Sequence, residues 1–281
     1  MKTKDQIIAL ATTLFLLGST TCYAFSPTNK EVSTQNKTIT LNQDTILKTA
    51  YPKTQTEAMA YQEPKELDDY FKNLPPIQLE KDVLGFIHPA IQFNNAQGEE
   101  RYLVIVEKVN IYDGYIQACR ACSSTADLLL YKIQNGQFVL INSAKNQDQI
   151  PSADGHFTLK LKEQLNKNLQ AFGKNMMGSY AKATFSGSGG HEESHWYAVL
   201  LPDTGKIQAI EIGYAGGSTS SYFADRPHLA SSTSSTLKII ANGADYYPIE
   251  VTYTDKGNKK PYKSKFTYNA KKSEYVETKL K

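Results

Sequence analysis

The Asn135-Gly136 dipeptide, which lies between two short apolar segments, constrains the fold more than any other feature of this chain. Residues 128–133 precede it and residues 138–141 follow it. Asn-Gly supplies the two positive φ angles of a type I′ turn, whose twist matches that of paired antiparallel strands. The segment is therefore predicted to be a tight β-hairpin.

The same arrangement recurs toward the C-terminus. Segments 196–201 and 206–214 flank Pro202-Asp203-Thr204-Gly205, and a last hairpin is predicted to join 263–268 to 274–277. Helical spacing of apolar residues occurs twice, after Pro64 (Leu67, Tyr70, Phe71, Leu74) and between Thr158 and Gly173 (Leu161, Leu165, Leu169, Phe172). The pattern predicts a mainly β, β-rich α+β fold, with antiparallel hairpins in a sandwich-like or barrel-like domain and two short helices.

The first 24 residues have the order of a secretory signal peptide. Two lysines precede an apolar run from Ile7 to Leu17, and small residues lead to Ala24, after which cleavage is predicted. The alternative is a lipid anchor on Cys22. Residues 25–63 are polar and are predicted to be a flexible linker with a short ordered patch near Ile46, and residues 64–281 a globular domain. We therefore expect an exported protein, periplasmic or secreted, with no transmembrane span in the mature chain.

The charge pattern argues against nucleic acid as a partner. The formal net charge is only +3, so there is no strong field over the whole protein. Nine lysines lie between residues 256 and 281, but Tyr262, Ser264 and Phe266 alternate there with Lys263 and Lys265. This alternation is typical of a half-buried strand with a solvated lysine face.

The segment from His191 to His195 reads H-E-x-x-H, the zinc-peptidase motif. In a helix both imidazoles would lie on one face to bind zinc, with Glu192 as the general base. A third ligand would come from elsewhere, with Glu211, Asp225 and His228 as candidates. However, glycines precede the motif and a strand-like apolar run follows it, so the context predicts an extended backbone instead.

Cys119 and Cys122 form a C-x-x-C pair directly before a strand-like segment. In an oxidising compartment the expected state is a disulfide closing a tight loop. A redox-active pair, or a zinc site shared with His191 and His195, are the alternatives.

Hairpin geometry also brings two loops together. If 196–201 and 206–214 pair, the segments outside the hairpin must meet at the end opposite its turn. Loops on a rigid sheet often carry binding residues. We therefore predict a binding site whose members come from both loops: His191, Glu193, His195, Tyr214 and Tyr222.

These features favour a non-enzymatic binding protein, acting as an inhibitor, an immunity-type factor or an accessory module. The partner would be an envelope or extracellular protein or polymer, and no cofactor is expected. The alternative is a zinc-dependent hydrolase that uses Glu192, His191 and His195.

Overall fold

The structure, a computed structural model, describes residues 41–56, 69–117, 119, 122–153, 155–157, 159–187, 189–257 and 260–280. Antiparallel strands dominate these residues, and the three α-helices among them are short. The predicted fold class, a β-rich sandwich-like arrangement of antiparallel hairpins, is confirmed. The predicted signal peptide, Cys22 and residues 25–40 lie outside the described residues.

The first sheet has the strand order β1-β2-β4-β6-β7, with β3 and β5 also paired to β4. Asn135 and Gly136 have φ angles of 52° and 70°, and they join β6 to β7 as the sequence predicted. The strands are β1 (Pro76–Glu80), β2 (Val83–Ile87), β3 (Ile91–Asn94), β4 (Glu100–Tyr112), β5 (Tyr115–Ile116), β6 (Thr125–Gln134) and β7 (Gln137–Gln147). A short hairpin follows, formed by β8 (Ser152–Ala153) and β9 (His156–Phe157).

The second sheet is an antiparallel meander in which every strand pairs with the next one along the chain. Its strands are β10 (Gln170–Gly173), β11 (Met176–Ser186), β12 (Glu192–Leu201), β13 (Gln208–Ser218), β14 (Ser232–Ile239), β15 (Ile249–Asp255), β16 (Tyr262–Asn269) and β17 (Glu274–Leu280). Both predicted hairpins, β12–β13 and β16–β17, are present. β13 and β14 pair only at Gly217–Thr233 and Ser218–Ser232, so most of β13 is not paired with β14.

The two sheets pack face to face through apolar side chains. Leu103 and Ile105 of β4 and Leu128 of β6 meet Val199 and Leu201 of β12 in one buried cluster. On the opposite face of β12, Trp196, Ala198 and Leu200 belong to a second core, which strands β15 to β17 complete. The meander therefore buries both faces of β12.

Part of the predicted linker is folded. Helices α1 (Gln43–Ala50) and α2 (Pro52–Thr56) lie within the predicted range 25–63. Ile46 of α1 is 1% exposed and packs against the first sheet, on the face away from the second sheet. The ordered patch predicted near Ile46 is present within residues 41–56, where tertiary packing stabilises a helix with few apolar residues.

The two helix predictions fared differently. In the first predicted helix, residues 64–68 lie outside the described residues. Residues 69–74 form turns in which Phe71 and Leu74 are buried. The second begins near its predicted start as α3 (Leu159–Lys167), but it ends before Phe172, which lies in β10. None of the helices in the described ranges is long and apolar enough to cross a membrane.

Candidate functional site

The H-E-x-x-H segment is a strand, as its context predicted. Glu192 begins β12, and His195 pairs with Ala183 of β11 and with Tyr214 of β13. Side chains alternate along a strand, so Glu193 and His195 lie on one side of β12 and Glu192 on the other. The backbone therefore does not form the helix that a zinc peptidase needs to bring Glu192 and both imidazoles to one metal.

His195 lies between two carboxylates. Its Nδ1 atom is 2.7 Å from Glu211 Oε1, and its Nε2 atom is 3.0 Å from Glu193 Oε1. Carboxylates accept hydrogen bonds, so both contacts are completed only when both ring nitrogens carry a proton. The two acids bind opposite sides of the imidazole instead of converging with it on one point.

Two bulges in β13 determine which residues surround His195. The register of the β12–β13 pair shifts between Ser194 and His195 and again between Trp196 and Tyr197. As a result Tyr214, and not Gly213, lies opposite His195. Gly213 has a φ of 152°, and a Cβ atom there would lie 2.8 Å from the Phe266 ring, so glycine is required at this bulge.

The pKa of Tyr197 is affected by the negative charge at this end of the sheet. Burial, followed by the charges of Glu211 and Glu193, raises the pKa of Tyr197 to about 12. The phenol therefore stays neutral at physiological pH. The two carboxylates are close enough to influence their neighbours as charges as well as through hydrogen bonds.

The two predicted loops do meet. The His191 ring stacks on the Tyr222 ring with centroids 4.8 Å apart. Gly190 lies so close to the second loop that a Cβ atom would come within 3.0 Å of the Ser221–Tyr222 backbone. The close packing of the loops holds Tyr222, whose side chain is half exposed, against His191.

The histidines and acids proposed as zinc ligands are not gathered into one site. His191 stacks on Tyr222, His195 is hydrogen-bonded to Glu193 and Glu211, and Asp225 pairs with Arg226 at 3.3 Å. His228 lies in a separate 3₁₀ turn, Pro227–Leu229. Within the described ranges, no group of three or more His, Cys, Asp or Glu residues is placed to hold a metal ion.

A row of rings that includes His195 crosses the second sheet, beginning at Phe185 and ending at Tyr262. Successive centroids lie 6.4 Å apart from Phe185 to His195, 6.2 Å from His195 to Tyr214, 6.2 Å from Tyr214 to Tyr253 and 4.9 Å from Tyr253 to Tyr262. We call these five residues the aromatic band. Tyr253 is buried and donates its hydroxyl hydrogen to the Tyr214 carbonyl, while Phe185, Tyr214 and Tyr262 are 36%, 38% and 44% exposed.

The band contains residues that the sequence analysis missed. It reaches His195 and Tyr214, which were predicted, but also Phe185, Tyr253 and Tyr262, which lie on three other strands. Tyr253 and Tyr262 are cross-strand partners in β15 and β16. The alternation of apolar and polar residues around each of these tyrosines was the available signal, whereas the bulges that turn Tyr214 toward His195 left none.

The C-x-x-C pair lies away from the band, in the segment between β5 and β6. The two Sγ atoms are 2.18 Å apart, within disulfide-bonding distance. The Cys122 carbonyl accepts a hydrogen bond from Gly155 N at 3.0 Å, which ties this segment to the β8–β9 hairpin. The geometry fits the expected disulfide.

A buried acid, also missed, organises the interior beside that segment. Glu107 is fully buried and accepts hydrogen bonds from the Tyr70 hydroxyl at 2.8 Å, the His88 Nε2 atom at 2.7 Å and the Ser124 hydroxyl at 3.0 Å, and from the Phe157 backbone N–H. Burial and the Glu107 charge raise the pKa of Tyr70. Because this cluster is sealed from solvent, it joins segments of the fold and does not present a surface to a partner.

A cavity of about 340 Å³ opens between α1 and the first sheet. Its walls are mostly apolar, with Ile46, Leu74, Ile87 and Val104 among them, and no acidic or basic side chain except that of His88 belongs to a lining residue. His88 is directed toward Glu107 through Nε2. Its polar lining residues are Asn42, Gln43 and Asn73, of which Asn42 caps α1 and Gln43 donates a hydrogen bond to the Pro76 carbonyl.

Comparisons with protein-family models, with curated proteins and with solved structures found no match for this chain. The functional interpretation therefore depends on the geometry of the chain itself.

Proposed function

We propose that this chain is an exported, non-enzymatic binding protein that captures a partner through the aromatic band and the adjoining His191–Tyr222 pair. The observation that carries the proposal is the concentration of exposed rings at one end of the second sheet. Phe185, Tyr214, Tyr222 and Tyr262 are each more than one third exposed there. Aromatic side chains offer large contact areas at low conformational cost, and they are enriched at protein interfaces.

The rings are held in place by the strands beneath them. Tyr253 donates a hydrogen bond to the carbonyl of Tyr214, and Ser235 donates one to the carbonyl of Ala215 at 2.6 Å. These bonds satisfy the carbonyl groups of Tyr214 and Ala215, which are not paired with β14. A surface that is rigid before binding loses less entropy when a partner binds.

Export is supported by the order of residues 1–24 and by the spacing of Cys119 and Cys122. The setting would be the periplasm or the exterior, where disulfides persist. An inhibitor, an immunity-type factor or an accessory module would each need such a rigid recognition surface.

The experiment is capture from envelope extract by immobilised protein, with chemical crosslinking and intact-mass detection of the partner. The wild type should retain a partner that the Tyr214→Ala/Tyr222→Ala variant loses. The matched control is Tyr112→Ala/Tyr115→Ala, which removes two exposed tyrosines from the β4–β5 hairpin instead. Thermal unfolding of all three proteins verifies that they are folded.

Equal capture by the wild type and both variants would contradict the proposal. The proposal would also be contradicted if only the β4–β5 control variant lost the partner, since the interface would then lie on the first sheet.

A further inference from the structure

Negative charge surrounds the aromatic band at both of its ends. Glu193 and Glu211 bind His195 at one end. At the other end, burial followed by the charges of Asp255 and then Glu277, with a contribution from Tyr214 between them, raises the pKa of Tyr262. Four carboxylates therefore surround the band and place it in a negative field.

The lysines of β16 do not cancel this field, because they lie on the other side of the strand. Tyr262 shares its side with Ser264 and Phe266, which are buried, whereas Lys263 and Lys265 are exposed on the opposite side. Lys263 Nζ is also 2.8 Å from Glu250 Oε1, with which it forms an ion pair. Lys279 of β17 lies opposite Ser264 and therefore on the same side as Tyr262, where it is one lysine among the four carboxylates.

Exposed rings surrounded by carboxylates suit a ligand that carries positive charge. The face of a tyrosine or phenylalanine ring attracts an ammonium or guanidinium group, and a nearby carboxylate strengthens the contact. An acidic ligand would be repelled by all four carboxylates. A neutral sugar could stack on the rings but would gain nothing from the charge.

The row of rings suits an extended polypeptide. The rings stand on five strands, with steps of 6.4, 6.2, 6.2 and 4.9 Å between successive centroids. Tyr253 is buried and stacks between Tyr214 and Tyr262, so a peptide would contact only the exposed rings of Phe185, Tyr214 and Tyr262 and would place no side chain between the stacked rings.

Building on the proposed function, we propose that the aromatic band binds a basic, extended segment of a partner polypeptide, with lysine or arginine side chains over the rings of Phe185, Tyr214 and Tyr262. The negative charge of Glu193, Glu211, Asp255 and Glu277 selects these side chains. Recognition depends on the basic residues of the ligand and is weakened by salt.

The test uses a fluorescent peptide of four Lys-Ser repeats as the probe, titrated with the full chain at low and at physiological salt. The wild type should bind it, with affinity falling as salt rises. Glu193→Gln/Glu211→Gln should bind about fivefold more weakly, since each exposed charge contributes only modestly. Glu250→Gln/Glu274→Gln, which removes two acids that pair with lysines, is the matched control and should bind like the wild type.

A second pair of variants separates ring stacking from charge. Tyr262→Ala should weaken binding about threefold, while Tyr262→Phe, which retains the ring face, should preserve it. Circular dichroism verifies that each variant is folded.

Failure of this inference is distinguishable from failure of the proposed function. If the Lys-Ser peptide does not bind, if all variants bind it equally, or if a Glu-Ser peptide or a neutral oligosaccharide competes for the band, the basic-ligand inference is wrong. Capture of the natural partner, which does not use this probe, decides the proposed function independently.

Discussion

Replacing Asp203 with Asn should cost this protein about 2 kcal/mol of folding stability. Asp203 lies in the turn between β12 and β13, and it binds Arg101 of β4, so the pair connects the two sheets. Arg101 Nε donates to Asp203 Oδ1 at 3.0 Å, and the Nη2 atom contacts the second oxygen. Asn95 Nδ2 also donates to Asp203, at 2.8 Å.

The magnitude follows from burial. Removing one partner of a fully buried ion pair costs about 3–5 kcal/mol, because the other charge is left without compensation. The Arg101 side chain is only 6% exposed, but Asp203 is 31% exposed and Glu99 still contacts the guanidinium, so about half of that cost is expected. At about 2–4 °C per kcal/mol, the unfolding midpoint should fall by roughly 4–8 °C.

The chain offers a matched control in Asp225→Asn. Asp225 and Arg226 form an Arg–Asp pair at 3.3 Å, but their side chains are 73% and 58% exposed. Exposed pairs contribute less than about 1 kcal/mol. Urea and thermal unfolding of both variants would measure the contrast, and equal losses would refute the argument from burial.

Lowering the pH should remove the contribution of Asp203 to folding stability. Burial alone would raise its pKa, but hydrogen bonds from Arg101 and Asn95 and the Arg101 charge outweigh burial, so the pKa lies below its ordinary value. The folded state then binds fewer protons at this site than the unfolded state, and the stabilisation is present above about pH 4. It is lost as the pH falls through the folded pKa, so the difference between the wild type and Asp203→Asn should shrink there.

Three further outcomes are expected. Gly216→Ala should destabilise the protein by about 1–3 kcal/mol, because φ is 134° and a Cβ atom would lie 2.3 Å from a carbonyl oxygen of β14; Gly98→Ala, with a φ of 81° but open space, should cost less in urea unfolding. Protein purified without chelator should contain no stoichiometric zinc by mass spectrometry, since both nitrogens of His195 already bind carboxylates. Zinc that disappears on mutation of this histidine would restore the hydrolase alternative. Thiol labelling under non-reducing conditions should leave Cys119 and Cys122 unmodified, and two labelled thiols would show that they are reduced.

Local patterns in the sequence predicted the hairpins well. Asn135-Gly136 and the turn that contains Asp203 impose their geometry within a few residues, so no distant contact is needed to recognise them. The extended backbone at His195 was predictable for the same reason, from the glycines before it and the apolar run after it.

Features that depend on contacts distant in sequence were missed. The sequence predicted only a short ordered patch near Ile46, because helix α1 is stabilised by packing of Ile46 on the first sheet, and the position of Tyr214 opposite His195 depends on bulges in β13. Glu107 gave one usable signal, an acid directly after the apolar run 102–106, where a charge requires partners. Which residues would serve as those partners could not be read from spacing, because they come from four separate segments.

Hydrogen–deuterium exchange of the chain, free and bound to its captured partner, tests the central claim most directly. Binding should protect backbone amides in residues 189–195 and 213–222, with smaller protection around Tyr262. Protection confined to the first sheet, for example at the β4–β5 hairpin or beside α1, would contradict it.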